Sequence, residues 1–436
     1  MKNKLTLILI GLAIADLLGA IDATGVNIAL PTITRDLAIP INISQWVPNA
    51  YTLVLVSALI FMGKIGDMIG TKKLYIWGLV IFGFTSLVLG FVNNIYLLIC
   101  LRAIQGLGTA ILYTMPASII AHLWKDREKA FAVTASFFAF GMLIGPLIGG
   151  ILTGINISWF HGWHLIFLLN IPFVIFGLFV AARNIPEMVP DKKEKLDYLS
   201  LLFLFGGLIV IVLSLTMINK LFIILGFFML FLLYLYERKI KNPLLDLSLF
   251  KNQTFAAANL FSFFSMVTII GMSFVLTFYL QDILGWSSMK AGLAFLPIPI
   301  VTGIVAALSG KIKNWRLGAI ISSMLILIGI FLLTGVNTNS SYLLSIFPGI
   351  ALIAAGSGIL MTVIFAAIMG SAPVEKSGMA SGFLNTLQQL GSLIGIALVA
   401  NIVFKFQNAF WILVFVAFAG FISALFVKRR EILYEI

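Results

Sequence analysis

Two carboxylates stand inside the first long apolar stretch of the chain, residues 5–30. These are Asp16 and Asp22, and a charged side chain near the centre of a bilayer costs on the order of 3 kcal/mol. Such groups are kept where they face a water-filled cavity, an ion path or an opposite charge. Arg102 is the only other charged side chain well inside an apolar stretch. The types and positions of these three residues indicate a site that handles protons or charged solutes.

Asp22 and Arg102 lie at matching depths in their apolar stretches. Asp22 is eight residues from the end of its stretch, and Arg102 is seven residues from the corresponding end of the stretch 95–121. A guanidinium beside a carboxylate favours the ionised acid, and moving it away lets the acid take up a proton. We therefore predict that Asp22 and Arg102 form a proton-coupling pair. The alternative is an Arg102 bonded to backbone carbonyls for structural reasons alone.

Asp16 has a different orientation from Asp22. Six residues correspond to roughly 240° around a helix, so the two acids face different ways. Asp16 is then either a protonated, hydrogen-bonded acid between helices or a second charge in a cavity. We favour the cavity and include Asp16 among the proton-coupling residues.

The composition fixes the class of protein that carries these charges. Of the 436 residues, 61% are hydrophobic and only 10% are charged, which a water-soluble domain could not shield from solvent. One helical crossing needs about 20 apolar residues. The apolar runs are continuous, whereas a membrane β-barrel would show short alternating segments. The sequence therefore predicts an all-α polytopic membrane protein.

Fourteen stretches are apolar and long enough to be transmembrane helices. They are residues 5–30, 45–65, 74–92, 95–121, 130–154, 163–183, 198–218, 220–236, 255–281, 290–309, 317–336, 341–369, 377–404 and 408–427. With the N-terminus inside, 23 of the 28 Lys and Arg lie on the inner side, and Arg102 lies within the membrane. The four on the outer side are Arg35, Lys220, Lys290 and Lys405. This bias predicts that both termini are cytoplasmic, and it explains the net charge of +12 without a nucleic-acid partner.

Short matches between the two halves indicate an internal repeat. Gly63-Lys64-Ile65 corresponds to Gly310-Lys311-Ile312, and residues 141–145 correspond to residues 391–395, at offsets of 247 and 250 residues. The repeat predicts two six-helix bundles, 1–185 and 253–436, with two inserted helices in 186–252. Two such bundles in parallel orientation place a substrate path between them near the midplane of the membrane.

Five polar side chains are candidates for the wall of a substrate cavity. They are Asn27, Gln105, Asn385, Gln388 and Gln389. Side chains of this kind line a path or bond neighbouring helices, and the sequence leaves both roles open for the last three. His161 and His164 have no third ligand in sight, so we predict no metal site. The three His and the single Cys100 are scattered, which argues against an enzyme and a disulfide framework.

Two glycine-rich motifs predict close helix contacts and a tight turn. In residues 63–73, glycines permit a sharp inner turn, and Asp67 is placed to meet positive groups. The expected conformational residues of this motif are Gly63, Gly66, Asp67, Gly70 and Lys72. In residues 141–150, glycines at every fourth position form a smooth ridge, which Pro146 loosens. The residues of this second motif are Gly141, Gly145, Pro146 and Gly149.

These motifs resemble signatures of the major facilitator superfamily. Residues 63–73 are similar to the pattern Gly-x-x-x-Asp-Arg-x-Gly-Arg-Lys, except that Met68 and Thr71 replace arginines. The run from Arg102 through Gln105 to Gly108 is similar to the Arg-x-x-Gln-Gly-x-Gly pattern associated with proton coupling in this family. Residues 145–150 resemble the Gly-Pro-x-x-Gly-Gly motif associated with its antiporters.

The end of the first stretch resembles one branch of the superfamily. Residues 22–31 are similar to the Asp-x-Thr-x-x-Asn-x-Ala-Leu-Pro signature of the fourteen-helix drug:proton antiporters. The resemblance covers the whole chain. It implies a monomeric plasma-membrane protein without a cofactor, which uses the proton gradient to export lipophilic small molecules, with cations as the expected class. The alternative on the same fold is export of an endogenous metabolite, lipid or peptide.

Overall fold

The computed structural model of the chain describes residues 2–124, 127–155, 161–187, 198–217, 220–237, 247–312, 314–372 and 377–428. All regular secondary structure in these ranges is helical, which confirms the predicted all-α class. Eleven helical segments among the described residues, each one helix or successive helices, are long and apolar enough to cross a membrane. Two shorter apolar helices cover Tyr198–Ile211 and Ile224–Glu237.

Eighteen α-helices are present in the described ranges. In the first part of the chain they are α1 Lys2–Asp36, α2 Ile41–Ser44, α3 Trp46–Ile69, α4 Thr71–Leu89, α5 Ile95–Leu123, α6 Arg127–Thr153, α7 His164–Leu168, α8 Asn170–Asn184, α9 Tyr198–Met217 and α10 Lys220–Glu237. They continue with α11 Gln253–Phe278, α12 Ser288–Ala294, α13 Pro297–Ser309, α14 Trp315–Leu333, α15 Phe347–Ile359, α16 Phe365–Ser371, α17 Ser377–Ala400 and α18 Phe406–Leu425. A 3₁₀ turn covers Leu247–Lys251, and π turns cover Tyr279–Ile283, Tyr342–Ile346 and Leu360–Ile364.

Each of the fourteen apolar stretches coincides with a helix or with helices in series. The tenth stretch, for example, contains α12 and α13, and the twelfth contains α15 and α16 with their π turns. Helix α3 coincides with the second stretch but is not among the eleven candidate spans. The helices support a multi-pass membrane protein. The number of fourteen membrane crossings stays a prediction.

The chain forms two compact units. The first consists of Met1–Tyr236 and Trp286–Leu296, and the second of Glu237–Gly285 and Pro297–Ile436. Within the first unit, α9 packs on α3, and α12 packs on α6. The division into 1–185, 186–252 and 253–436 follows the motifs of the chain rather than these contacts, and it stays a prediction.

The same glycine-mediated helix pair occurs in both units. In the first unit α6 packs on α1, and a methyl group at Gly141 would lie 2.6 Å from the Leu17 carbonyl oxygen. In the second unit α17 packs on α11, and a methyl group at Gly391 would lie 2.5 Å from the Phe263 carbonyl oxygen. Only glycine permits backbones to approach this closely. The two pairs agree with the repeat read from the sequence.

Large apolar side chains cover the outside of the helices in each unit. Phe84 is 63% exposed, Phe227 61% and Phe415 71%. Exposed apolar surface of this extent marks contact with lipid or with a partner. Together with the apolar length of the helices, it indicates that these side chains face the hydrocarbon of a bilayer.

Candidate functional site

A buried ion pair joins α1 to α5 in the first unit. Arg102 Nη1 on α5 donates to Asp22 Oδ2 on α1 at 2.5 Å. The side chain of Asp22 is 0% exposed and that of Arg102 is 1% exposed. Because both charges are removed from water, their mutual attraction and the hydrogen bonds around them must offset a large desolvation cost. The structure thus brings together two of the three charged residues singled out in the sequence.

Three neutral polar side chains complete the hydrogen bonding of this pair. Arg102 Nη1 also donates to Gln105 Oε1 at 2.6 Å. The Gln105 amide donates to Ser86 Oγ at 2.8 Å and lies 3.4 Å from Asp22 Oδ1. Asn170 Nδ2, at the start of α8, donates to Ser86 Oγ at 3.2 Å and to Asp22 Oδ1 at 3.4 Å. The result is a buried polar cluster of Asp22, Arg102, Gln105, Ser86 and Asn170 that ties four helices together.

Aromatic rings and one backbone carbonyl enclose the guanidinium. Its carbon lies 4.1 Å from the ring centre of Tyr51 on α3 and 5.8 Å from that of Phe167 on α7. Arg102 Nε donates to the Val47 carbonyl oxygen at 3.3 Å. A cation over an aromatic face gains about 2 kcal/mol or more when it is desolvated. The positive charge therefore has favourable contacts that do not depend on Asp22.

Glycines in α5 let Arg102 reach this position. A methyl group at Gly106 would overlap the Tyr51 carbonyl oxygen on α3, and one at Gly108 would lie 2.9 Å from the Phe82 nitrogen on α4. Asn94 caps the start of α5 by accepting from the backbone nitrogens of Tyr96 at 3.0 Å and Leu97 at 3.1 Å. The Arg-x-x-Gln-Gly-x-Gly spacing thus places two polar side chains and two close backbone contacts on one helix.

The glycine ridge of α6 holds the part of α1 that carries Asp22. A methyl group at Gly145 would overlap Thr24 Oγ1, and one at Gly149 would lie 2.6 Å from Gly25 Cα. Beside this ridge, a methyl group at Gly292 on α12 would overlap the Pro146 carbonyl oxygen. Packing accounts for these glycines, and their expected role in conformational change stays a prediction.

The turn between α3 and α4 consists of Gly70 alone. Its φ of +96° lies where residues with a side chain are strained. Gly66 packs under Met115, whose sulfur would lie 2.8 Å from an added methyl group, whereas Gly63 faces open space. Lys72 Nζ lies 3.3 Å from Glu187 Oε1. The side chain of Asp67 lies outside the described residues.

Asp16 and Asn27 do not join the cluster. Asp16 is half-buried on α1, six residues before Asp22. Asn27 is half-buried, and its Oδ1 has no hydrogen-bond partner among the described residues. Gln105, expected in a cavity wall, is instead fully buried in the cluster.

Three of the candidates lie on α17 in the second unit. Asn385 is exposed, and Gln389 is half-buried. Gln388 Nε2 lies 3.5 Å from Ser262 Oγ on α11. The structure brings Gln388 into contact with a neighbouring helix, and the role of all three in substrate binding stays a prediction.

Sequence reasoning gave no role to Ser86, Asn170 and Tyr51. Asn170 had a usable signal, because it is a carboxamide in an otherwise apolar stretch. Ser86 and Tyr51 had none, because serine and tyrosine are ordinary in membrane helices. Their contribution depends on which way each helix face points, and hydropathy does not reveal that direction.

A model of a protein family matches most of the chain. The model described as Major Facilitator Superfamily matches residues 12–396. The chain belongs to the Major Facilitator Superfamily. This confirms the family predicted from the motifs and identifies the chain as a multi-pass membrane transporter.

Relatives within the superfamily are transporters of several kinds. The chain is 29% identical over 460 residues to the riboflavin transporter RibZ of Clostridioides difficile (strain 630), with 99% of both chains covered. It is 29% identical to the multidrug transporter protein MdtP of Bacillus subtilis (strain 168), with 92% of this chain and 76% of that one covered. It is also 29% identical to the multidrug efflux pump LfrA of Mycolicibacterium smegmatis, with 91% and 81% covered.

Two solved transporter structures share the fold of this chain. A structure from a study of proton-dependent oligopeptide transporters has a TM-score of 0.68 at 13% identity, covering 97% of this chain and 98% of that one. A bacterial homologue of the human lysosomal transporter Spinster has a TM-score of 0.65 at 14% identity, covering 98% and 95%. At these identities the likeness concerns the fold alone.

Proposed function

We propose that this transporter is a fourteen-helix drug:proton antiporter, which exports lipophilic small molecules, cations foremost, in exchange for protons. The observation that carries the proposal is the buried Asp22–Arg102 pair, with the two side chains 0% and 1% exposed. A membrane protein that has no use for these charges could replace them by apolar residues without loss. The multidrug names of several relatives support the same function.

In the proposed cycle Asp22 binds the proton, and Arg102 controls when it does so. While the two are paired, the carboxylate is neutralised by the guanidinium and is out of reach of water. A proton on Asp22 would remove that attraction. Arg102 would then keep its bonds to Gln105 and the Val47 carbonyl and its place over the Tyr51 ring.

Substrate and proton compete in this scheme. A cationic substrate would stabilise the ionised form of a carboxylate in the path, and protonation would release it. Alternating access of the bundles 1–185 and 253–436 would then carry the proton inward and the substrate outward. Asp16, which is half-buried, is the second acid proposed to act in the path.

The test is Asp22→Asn in proteoliposomes with an imposed pH gradient. Transport of a lipophilic cation driven by the gradient should be lost, because an amide can neither bind the proton nor release it. Asp282→Asn, which changes an exposed acid outside the cluster, is the matched control and should keep full transport. Gradient-driven transport by Asp22→Asn would remove Asp22 from the mechanism.

The protein works as a monomer in the plasma membrane with both termini in the cytoplasm, and the proton gradient replaces a cofactor as the energy source. The distribution of Lys and Arg between the two sides supports the orientation. Its partners are the substrate, protons and the bilayer.

The second candidate is transport of an endogenous metabolite. The match to the riboflavin transporter supports it, because that match covers 99% of both chains, whereas the multidrug relative MdtP extends beyond this chain. Riboflavin and a quaternary phosphonium cation, offered to the same proteoliposomes, separate the two candidates. Movement of riboflavin alone would favour the metabolite, and movement of the cation alone would favour drug export.

A further inference from the structure

Tyr113 on α5 places its hydroxyl group against the backbone of α1. A methyl group at Gly19 would lie 2.5 Å from Tyr113 Oη and 2.7 Å from Cε1 of the same ring. Gly19 is buried, and Tyr113 is half-buried. The Phe138 ring on α6 packs edge-on against the Tyr113 ring at a centroid separation of 5.9 Å. The glycine thus leaves a space on α1 that the phenol group of Tyr113 fills.

This space lies midway between the two acids of α1. Gly19 follows Asp16 by three residues and precedes Asp22 by three residues. Residues three apart are neighbours on the surface of a helix, with Cβ atoms about 5 to 6 Å apart. Because the Tyr113 hydroxyl occupies the place of a side chain at position 19, it has one acid on each side. A carboxyl group extends one carbon beyond Cβ, which brings both acids within reach of the hydroxyl, directly or through one water molecule.

Tyr113 and Arg102 lie on the same face of α5. Eleven residues separate them, which corresponds to roughly three helical turns. Arg102 donates to Asp22 from this face, and Tyr113 approaches Gly19 from it. One face of α5 thus supplies both the counter-charge of Asp22 and a hydroxyl group between Asp22 and Asp16.

The two acids differ in their exposure. Asp22 is 0% exposed, whereas Asp16 is half-buried. A proton on Asp22 therefore has no accessible surface at that residue from which to leave, and Asp16 provides such a surface. A tyrosine hydroxyl can accept one hydrogen bond and donate another at the same time. It is therefore suited to connect a buried acid with a more exposed one.

We infer that Tyr113 relays the proton between Asp22 and Asp16. The inference rests on the proposed function, in which Asp22 takes up the proton. In the relay, the O–H bond of the protonated Asp22 carboxyl breaks and its proton passes to Tyr113 Oη. The original O–H bond of Tyr113 breaks in the same step, and that proton passes to the Asp16 carboxylate. Asp22 is then a carboxylate that can pair with Arg102 again, Asp16 is a neutral acid, and the hydroxyl is neutral before and after.

Tyr75 on α4 provides a matched control. Its hydroxyl also bonds to α1, donating to the Gly11 carbonyl oxygen at 3.2 Å, and the residue is 1% exposed. Gly11 precedes Asp16 by five residues, which is not a neighbouring spacing on a helix. Tyr75→Phe therefore removes a hydroxyl group from the surface of α1 at a place outside the path between the acids.

The transport test compares Tyr113→Phe with Tyr75→Phe in proteoliposomes. Phenylalanine keeps the ring and removes the hydroxyl. Transport of a quaternary phosphonium cation driven by a pH gradient should fall at least tenfold in Tyr113→Phe. Exchange of the same cation without a gradient should keep its rate, because it needs no proton transfer. Tyr75→Phe should keep both activities. Full gradient-driven transport by Tyr113→Phe, or an equal loss of driven transport and exchange, would overturn the relay.

Infrared spectroscopy of the purified full chain tests the contact without transport. The C=O stretching band of a protonated carboxyl group shifts when a hydrogen bond to it is removed. Asp16→Asn and Asp22→Asn identify the two bands by their loss. Tyr113→Phe should shift both bands and Tyr75→Phe neither, and an unshifted Asp16 band in Tyr113→Phe would overturn the relay. Failure of the unmodified chain to couple the cation to the gradient would instead reject the proposed function, and the bands would still decide for or against Tyr113.

Discussion

Asp22 and Arg102 act as one unit because each makes the burial of the other tolerable. They meet at 2.5 Å in a cluster where Gln105, Ser86 and Asn170 supply further hydrogen bonds. Removing one partner from a buried ion pair leaves an uncompensated charge, whereas replacing both leaves none. A single substitution therefore measures the cost of the stranded charge as well as the lost contact.

A double-mutant cycle separates these contributions. Asp22→Asn and Arg102→Gln should each lower the free energy of unfolding by about 3 to 5 kcal/mol, because each strands the opposite charge. The double variant should be more stable than the sum of the two losses predicts, since two carboxamides can bond to each other. Unfolding of the purified variants in detergent measures all four corners of the cycle. Additive losses would mean that the pair is not energetically coupled.

Asp16 is expected to contribute to transport but not to folding. It is half-buried on α1 and lies outside the cluster around Asp22 and Arg102. Asp16→Asn should reduce transport of a cationic substrate at least tenfold and leave the unfolding midpoint unchanged, because an amide cannot ionise to attract the cation. A marked loss of stability with normal transport would assign Asp16 to the structural alternative.

At the scale of elements, two pairs of parallel helices carry the architecture. Glycines at Gly145 and Gly149 let α6 approach α1, and Gly391 and Gly395 let α17 approach α11 in the second unit. Without a hydrophobic driving force between helices in lipid, close packing of this kind is a main source of helix association. The position of Asp22 along α1 is thus set from one side by α6 and from the other by Arg102.

Alanine substitutions at these glycines should push the paired helices apart. Gly145→Ala places a methyl group against Thr24 Oγ1, and Gly395→Ala places one 2.6 Å from the Val267 carbonyl oxygen. Each should cost about 1 to 3 kcal/mol of stability, as overpacking does. Gly63→Ala is the control, because a methyl group there meets nothing within 4 Å. Unfolding midpoints compare the three, and a drop for Gly63→Ala equal to the others would contradict the packing explanation.

The sequence predicted where the helices lie better than which side of each helix is buried. Hydropathy located the long apolar helices of the described residues, and the similar depths of Asp22 and Arg102 were sufficient to expect them to meet. It did not predict that Gln105 would be enclosed in the cluster, or that Ser86 would bond to it. Such contacts depend on rotation of each helix about its axis, which tertiary packing decides, and apolar stretches without periodicity carry little information about that rotation.

For the whole molecule, α9 and α10 determine whether the chain crosses the membrane fourteen times or twelve times. Both coincide with predicted crossings, and their apolar cores cover Tyr198–Ile211 and Ile224–Glu237. If they cross as a pair, the second bundle keeps the orientation of the first. Lys and Arg are then in excess on the cytoplasmic side both before and after the two inserted helices.

Cysteine labelling decides this topology. In a Cys100→Ser background, Lys220→Cys and Lys405→Cys should react with an impermeant thiol reagent added outside intact cells. Lys73→Cys and Lys311→Cys should react only after the cells are opened, because they lie on the positive inner side. Protection of Lys220→Cys together with labelling of Lys405→Cys would leave α9 and α10 on the inner side and reduce the number of crossings to twelve.

The pairing of Asp22 with Arg102 also constrains how the protein is made. The two residues are 80 positions apart, and α3 and α4 lie between their helices. At roughly 5 to 20 residues per second, the ribosome needs on the order of 4 to 16 seconds to reach Arg102 after Asp22 has been synthesised. Throughout that delay α1 carries Asp22 without its counter-charge. The Asp22 carboxyl group must then be protonated, be held by the insertion machinery, or lie beside water. The nascent chain thus depends on a helper, or on a proton, before the finished protein supplies its own arginine.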